Sequence, residues 1–139
     1  YEEYRELVTP SDLEVLKIAN HYSTNNILHC CGWAGDQNRM EVWQDYSAKA
    51  VNWAIYVEKM DLREGKEFFH GKCVIGGFDN RSESILVSGC QREIEEETKR
   101  LVDQAGKTGV ILGADCTLPR GVDLNRICWV VKTLQNINS

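Results

Sequence analysis

Short apolar runs alternate with segments of helical pattern four times along the chain, and that order restricts the fold more than any single motif. The runs cover residues 27–32, 50–57, 73–78 and 110–116. They are apolar almost throughout rather than strictly alternating, as strands are when helices cover their sheet. Segments 39–46 and 61–69 have helical composition, and 82–90 is a polar loop with an apolar Ile85-Leu86-Val87 inside it. Ile94, Thr98, Leu101, Val102 and Ala105 stripe one face of a long helix that stops near Gly106. Leu124, Ile127, Cys128, Val131 and Leu134 stripe a last helix. Another helix precedes the first run: Thr9 stands as its cap, Pro10 opens it, Asp12 lies three after the cap, and Leu13, Leu16 and Ala19 follow at helical spacing. Such alternation means an α/β fold with parallel strands and crossover helices. No linker or low-complexity tract interrupts it, so residues 1–139 read as a single domain. Four βα units are half of an eight-unit (β/α)8 barrel, and they also fit a small open sheet.

Charge and hydropathy remove several classes of partner. A net charge of -5 gives no basic footprint for nucleic acid. The longest apolar stretches, such as 74–78, are far too short to cross a bilayer. No basic-then-apolar segment opens the chain, and Tyr1-Glu2-Glu3-Tyr4-Arg5-Glu6 reads like the middle of a longer protein. Six cysteines would suggest three disulfides in a secreted mini-domain. Here several lie in apolar segments, where cysteine acts as a small hydrophobe, and a reducing cytoplasm is the expected setting. Adjacent Cys30 and Cys31 point to opposite faces of a strand, and Cys73, Cys90 and Cys128 show no obvious partner.

The chemistry gathers at strand ends: His29 and Cys31 on the first run, Asp79 on the third, Asp115 and Cys116 on the fourth. Parallel α/β folds bind ligands at the C-terminal ends of their strands. His29 and Cys31 stand two apart, on one face of a strand, as two ready ligands for a borderline-soft ion such as zinc. Cys116 offers a third, leaving a fourth position for a water or substrate thiol. The competing assignment is a hydrogen-bonded core histidine with two buried thiols. Gly76-Gly77-Phe78-Asp79 is either a close backbone approach beside a carboxylate or a tight turn. Trp33, Trp43, Trp53 and Trp129 read as packing residues, His21 and His70 as surface ones, and the Glu93-Glu95-Glu96-Glu97 run as a solvated helix face.

Three segments, Leu28-His29-Cys30-Cys31-Gly32, Gly76-Gly77-Phe78-Asp79 and Leu112-Gly113-Ala114-Asp115-Cys116-Thr117-Leu118-Pro119, together resemble successive motifs of the uroporphyrinogen decarboxylase superfamily. Their order and spacing resemble the last four βα units of that TIM barrel over nearly the whole chain. The resemblance implies that the chain is a C-terminal half, with the N-terminal half of the barrel as its missing partner. True uroporphyrinogen decarboxylases work without metal and carry a Gly-His-Gly turn where this chain has Asp115-Cys116. The corrinoid-dependent methyltransferase branch holds zinc with a His-x-Cys pair and a distant Cys, and His29, Cys31 and Cys116 resemble that set.

The resemblance therefore implies zinc-dependent methyl transfer from a corrinoid, carried by a corrinoid protein, to a thiol. His29, Cys31 and Cys116 would be the metal ligands, and Asp79 and Asp115 the catalytic or supporting carboxylates. Two other readings stand beside it. One is a metal-free carboxy-lyase acting on a tetrapyrrole, with Asp79 or Asp115 handling protons; the other is a non-catalytic corrinoid- or tetrapyrrole-binding domain. Half a barrel leaves two open edges and an apolar inner face, so two isolated copies are expected to pair.

Overall fold

The computed structural model describes residues 1–31 and 36–137. Its elements are α1 (Glu2–Leu7), α2 (Thr9–Tyr22), β1 (Ile27–Cys30), a single 3-10 turn (Met40–Val42), β2 (Ala50–Trp53), α3 (Ile55–Glu58), α4 (Leu62–Phe68), β3 (Cys73–Phe78), α5 (Ile85–Ser88), α6 (Gln91–Ala105), β4 (Val110–Ala114) and α7 (Asn125–Ile137). The four strands form one sheet in the order β1-β2-β3-β4, every pair parallel. The chain is thus α/β with helices interleaved between parallel strands, as the alternation predicts.

Register divides the sheet into two unlike faces. His29 pairs with Asn52, Asn52 with Ile75, and Ile75 with Ile111, so these four share one face. Leu28, Val51, Val74 and Val110 share the other. The second face carries the core: Val51, Val74 and Trp53 are fully buried with Leu62 and Phe69 from the α4 region and Ile94 and Leu101 of α6. On the first face Ile27 is 61% and Ile111 52% exposed, although both are strand residues. Parallel sheets normally have both faces covered. Among the described residues, helices cover only one.

Local signals explain the elements that position the site. α4 starts at a reciprocal cap: Glu64 N–H donates to Asp61 Oδ1 at 2.9 Å, and Asp61 N–H to Glu64 Oε2 at 2.8 Å. α6 buries Ile94, Thr98, Leu101, Val102 and Ala105, the stripe read from sequence, and ends against Gly106. Lys66 then donates from Nζ to the carbonyls of Ala105 and Thr108, both at 2.8 Å, tying that helix end to α4.

Several boundaries differ from expectation. The second strand stops at Trp53 instead of reaching residue 57, because the chain turns there into α3. Residues 39–46 do not form a full helix; their N–H groups close i+3 bonds, from Val42 to Arg39, Trp43 to Met40 and Tyr46 to Trp43. Thr9 is the first residue of α2 and Val8 takes the cap position, since α1 runs directly into it. Asp12 is not a cap partner: its Oδ2 accepts the hydroxyls of Tyr4 at 2.9 Å and Tyr46 at 3.0 Å. Ile85-Leu86-Val87 is a helical turn with Leu86 buried rather than loop. Trp53 is buried, and Trp43 and Trp129 are half-buried against the core. Trp33 lies outside the described residues, as does the Gly32 that closes the first run. No described helix is long and apolar enough to cross a membrane.

Candidate metal centre

β1 and β4 are the two edge strands, yet their polar residues meet. His29 sits within β1, Cys31 one residue past it, and Cys116 two residues past β4. The Cys116 Sγ lies 3.6 Å from His29 Nε2 and 3.9 Å from Cys31 Sγ. One ligand atom from each of the three falls within 4.8 Å of the others. In a flat sheet, strands three places apart are separated by about 14 Å, more than an imidazole and a thiol bridge. So short a contact between the two edge strands implies a sheet that curls toward the face that carries His29. Positive φ at Gly76 and Gly77 of β3, +141° and +115°, supplies a bend in the strand between them.

The donor set suits a borderline-soft cation. It offers one imidazole nitrogen and two sulfurs, the mixture that zinc takes in three-ligand sites with an open position. His29 turns Nε2 toward the sulfurs, and its Nδ1 is held 2.5 Å from Asn52 Oδ1. Asn52 is held in turn, its Nδ2 donating to the Ile75 carbonyl at 2.9 Å. Burial pushes the Cys31 thiol above its ordinary pKa, and the neighbouring Cys116 sulfur raises it further. Two sulfurs this close resist becoming two anions unless a positive charge lies between them. Their proximity therefore favours either protons or a cation, and the His29-Cys31-Cys116 group could hold a metal ion.

The two aspartates occupy different settings. Asp115 is 1% exposed, with Oδ1 accepting the Gly77 N–H at 2.9 Å. Burial raises its pKa to about 7, against the lowering effect of N–H groups from Gly77, Ile55 and Tyr56. Ile55 and Tyr56 open α3, so the carboxyl group ties the end of β4 to both β3 and that helical turn. A Cβ on Gly76 would stand 3.0 Å from Asp115 Oδ1, so this close approach needs glycine. Asp79 is half-buried in the turn after β3 and accepts from Arg81 Nε at 3.0 and 2.9 Å and from Nη2 at 2.5 Å. Burial pushes its carboxyl up, but the bonds and charge of Arg81 outweigh that and leave it below the ordinary value.

Of the residues singled out from sequence, His29, Cys31 and Cys116 converge into one group, while Asp79 and Asp115 stand at the neighbouring strand ends and are engaged by Arg81 and by backbone. Cys30 faces the core, and burial, with some help from Glu58, pushes its thiol up to about 12, so it is no competitor as a ligand. Cys90 caps α6, where Glu93 reaches back to its N–H at 2.7 Å. His21 and His70 are exposed, the latter 3.1 Å from Asp45 Oδ1. Asn52 is the residue the sequence reading misses. Its signal is a lone amide inside an apolar strand run, Ala50-Val51-Asn52-Trp53, at a position where apolar side chains are the rule. Compared with family models and with curated proteins, the chain matches none of them.

Proposed function

We propose that this chain forms the last four βα units of a uroporphyrinogen-decarboxylase-type barrel and serves zinc-dependent methyl transfer from a corrinoid to a thiol. The observation that carries it is the convergence of His29, Cys31 and Cys116 from the two edge strands into a space of under 5 Å. The curl of the sheet and its uncovered concave face support the barrel, whose other βα units would cover that face. The resemblance of the three strand-end segments to the superfamily supports the choice of reaction.

In this reading His29 contributes Nε2, and Cys31 and Cys116 contribute thiolates. Zinc held there supplies the positive charge that keeps a substrate thiol deprotonated near neutral pH. The residues of the chain do the rest: His29 is aimed by Asn52, and Cys116 is placed by the β4 turn that Asp115 anchors. Asp79, kept ionised by Arg81, lines the mouth of the same strand ends as a fixed negative group. Overall, a sulfur–carbon bond forms, the cobalt–carbon bond breaks with its electron pair left on the corrinoid, and the thiol proton goes to solvent.

Metal analysis tests this directly. The purified chain, reconstituted with zinc and freed of excess by gel filtration, is expected to retain one zinc per chain. Cys116→Ser and His29→Ala are each expected to lose it while keeping the far-ultraviolet circular dichroism of the native chain. A native chain that retains no stoichiometric zinc removes the thiol-activation reading. A chain that retains zinc but, joined to the remainder of its barrel, leaves methylcobalamin intact in the presence of thiols removes the methyl-transfer assignment.

A further inference from the structure

We propose that Asn52 is a positioning residue for this centre: it fixes His29 in the tautomer that presents a bare Nε2 to the metal, and so sets how tightly zinc is held. The inference rests on the reading of His29, Cys31 and Cys116 as ligands, and it adds a residue that touches neither metal nor substrate.

The geometry leaves little freedom. His29 and Asn52 are register partners on adjacent parallel strands, so their side chains emerge side by side on the concave face. Asn52 Nδ2 donates to the Ile75 carbonyl at 2.9 Å. Flipping the amide would set its oxygen against that carbonyl oxygen, two acceptors facing each other, so Nδ2 stays on Ile75 and Oδ1 faces the imidazole. An amide oxygen only accepts. The ring atom 2.5 Å away, Nδ1, must then be the N–H. In a neutral imidazole the lone pair is left on Nε2, the atom that stands 3.6 Å from Cys116 Sγ. One carbonyl of β3 thereby dictates, through one amide of β2, which nitrogen of β1 is free to ligate.

The identity of the acceptor has its own consequence. A carboxylate behind the ring would raise its basicity and add negative charge beside two thiolates; a neutral amide orients the ring without either. The centre then combines two anionic sulfurs with a neutral nitrogen, which balances the two positive charges of zinc.

A structural role for Asn52, merely knitting β2 to β3 through Ile75, predicts different results from a positioning role. Asn52→Asp keeps an acceptor for the His29 Nδ1–H but loses the donor to Ile75. Asn52→Leu loses both. Two measurements apply: zinc affinity by competition with a chromophoric chelator, and the nitrogen-15 shifts of the His29 ring in the metal-free chain, assigned among the three histidines with a His29→Gln control.

The native chain is expected to show the Nδ1–H tautomer. Asn52→Asp is expected to keep that tautomer and, with a carboxylate behind the ring, to bind zinc at least as well as the native chain, whereas Asn52→Leu mixes the tautomers and weakens zinc by about 10- to 100-fold. Equal weakening in both variants would assign the effect to the lost Ile75 bond and overturn the proposal, as would native affinity in Asn52→Leu. An Nε2–H tautomer in the native chain overturns it without recourse to any variant, so a variant that fails to fold does not shelter it. A native chain that takes up no zinc fells the ligand reading and this inference together. Zinc uptake that ignores Asn52 fells only this inference.

Discussion

Arg81 reaches back two residues to grip Asp79 with Nε and Nη2, while partial burial of the same carboxyl works in the opposite direction. The guanidinium wins, so Asp79 stays ionised to lower pH than an ordinary aspartate. The sign follows: the stabilisation from this pair is complete above the unfolded-state pKa and is lost as pH falls through the depressed folded-state value. Because Arg81 is exposed, the pair contributes at most about 1 kcal/mol. Arg81→Leu removes the guanidinium but keeps the residue-81 N–H that donates to Asp79 Oδ1 at 3.0 Å, so burial is then opposed by that bond alone and the Asp79 pKa is expected to rise above its native value in a carbon-13 carboxyl titration. An unchanged titration would mean that the ion pair does not form in solution. At this scale the sequence is informative where a residue acts through near neighbours. Asp79 and Arg81 stand two apart in one turn, and His29 and Cys31 share a strand face by simple alternation. Asn52 is different: its role depends on strands 23 residues away on either side, and no spacing announces it.

Elements whose limits are set by neighbouring residues match their sequence pattern. β3 covers 73–78 and α6 ends at Ala105, because an apolar run that stops at Asp79-Asn80-Arg81 and a striped amphipathic face are local properties. β2 ends four residues earlier than its apolar run suggests. The N–H groups of Ile55 and Tyr56 are drawn to Asp115, some 60 residues on, and the backbone leaves the strand to meet it. α4 presents the sharpest constraint among the helices. A Cβ at Gly65 would lie 2.1 Å from Cη2 and 2.2 Å from Cζ2 of Trp53, whose Nε1 donates to the Met60 carbonyl at 2.9 Å. The indole is thus held at one end and pressed against bare helix backbone at the other. Gly65→Ala would raise helix propensity on an exposed surface, but here overpacking is expected to dominate, with a net loss of about 1–3 kcal/mol in denaturant unfolding. Stabilisation by this substitution would show that α4 slides freely over β2.

At the scale of the whole molecule the parallel sheet is covered on one side, and Ile27 and Ile111 stand exposed at its two edges on the other. Apolar strand surface of this kind is expected to draw a second copy of the chain in solution. Sedimentation should show association that weakens in the double substitution Ile27→Lys and Ile111→Glu; equal monomer populations for both chains would argue against it. The parallel sheet was legible from alternation, but the meeting of its edges was not, since nothing local tells how far four strands curl. That curl brings Cys31 and Cys116 to 3.9 Å across 85 residues of chain. Stripped of metal and treated with hydrogen peroxide, the pair has only about 2 Å to close to form a covalent bridge, its two protons and two electrons converting peroxide to water. Such a bridge would staple one rim of the molecule to the other. A loop of that length is worth about 4–5 kcal/mol in chain entropy. The oxidised chain should therefore weigh two hydrogens less, melt at a higher temperature, and refuse zinc until a reductant reopens it.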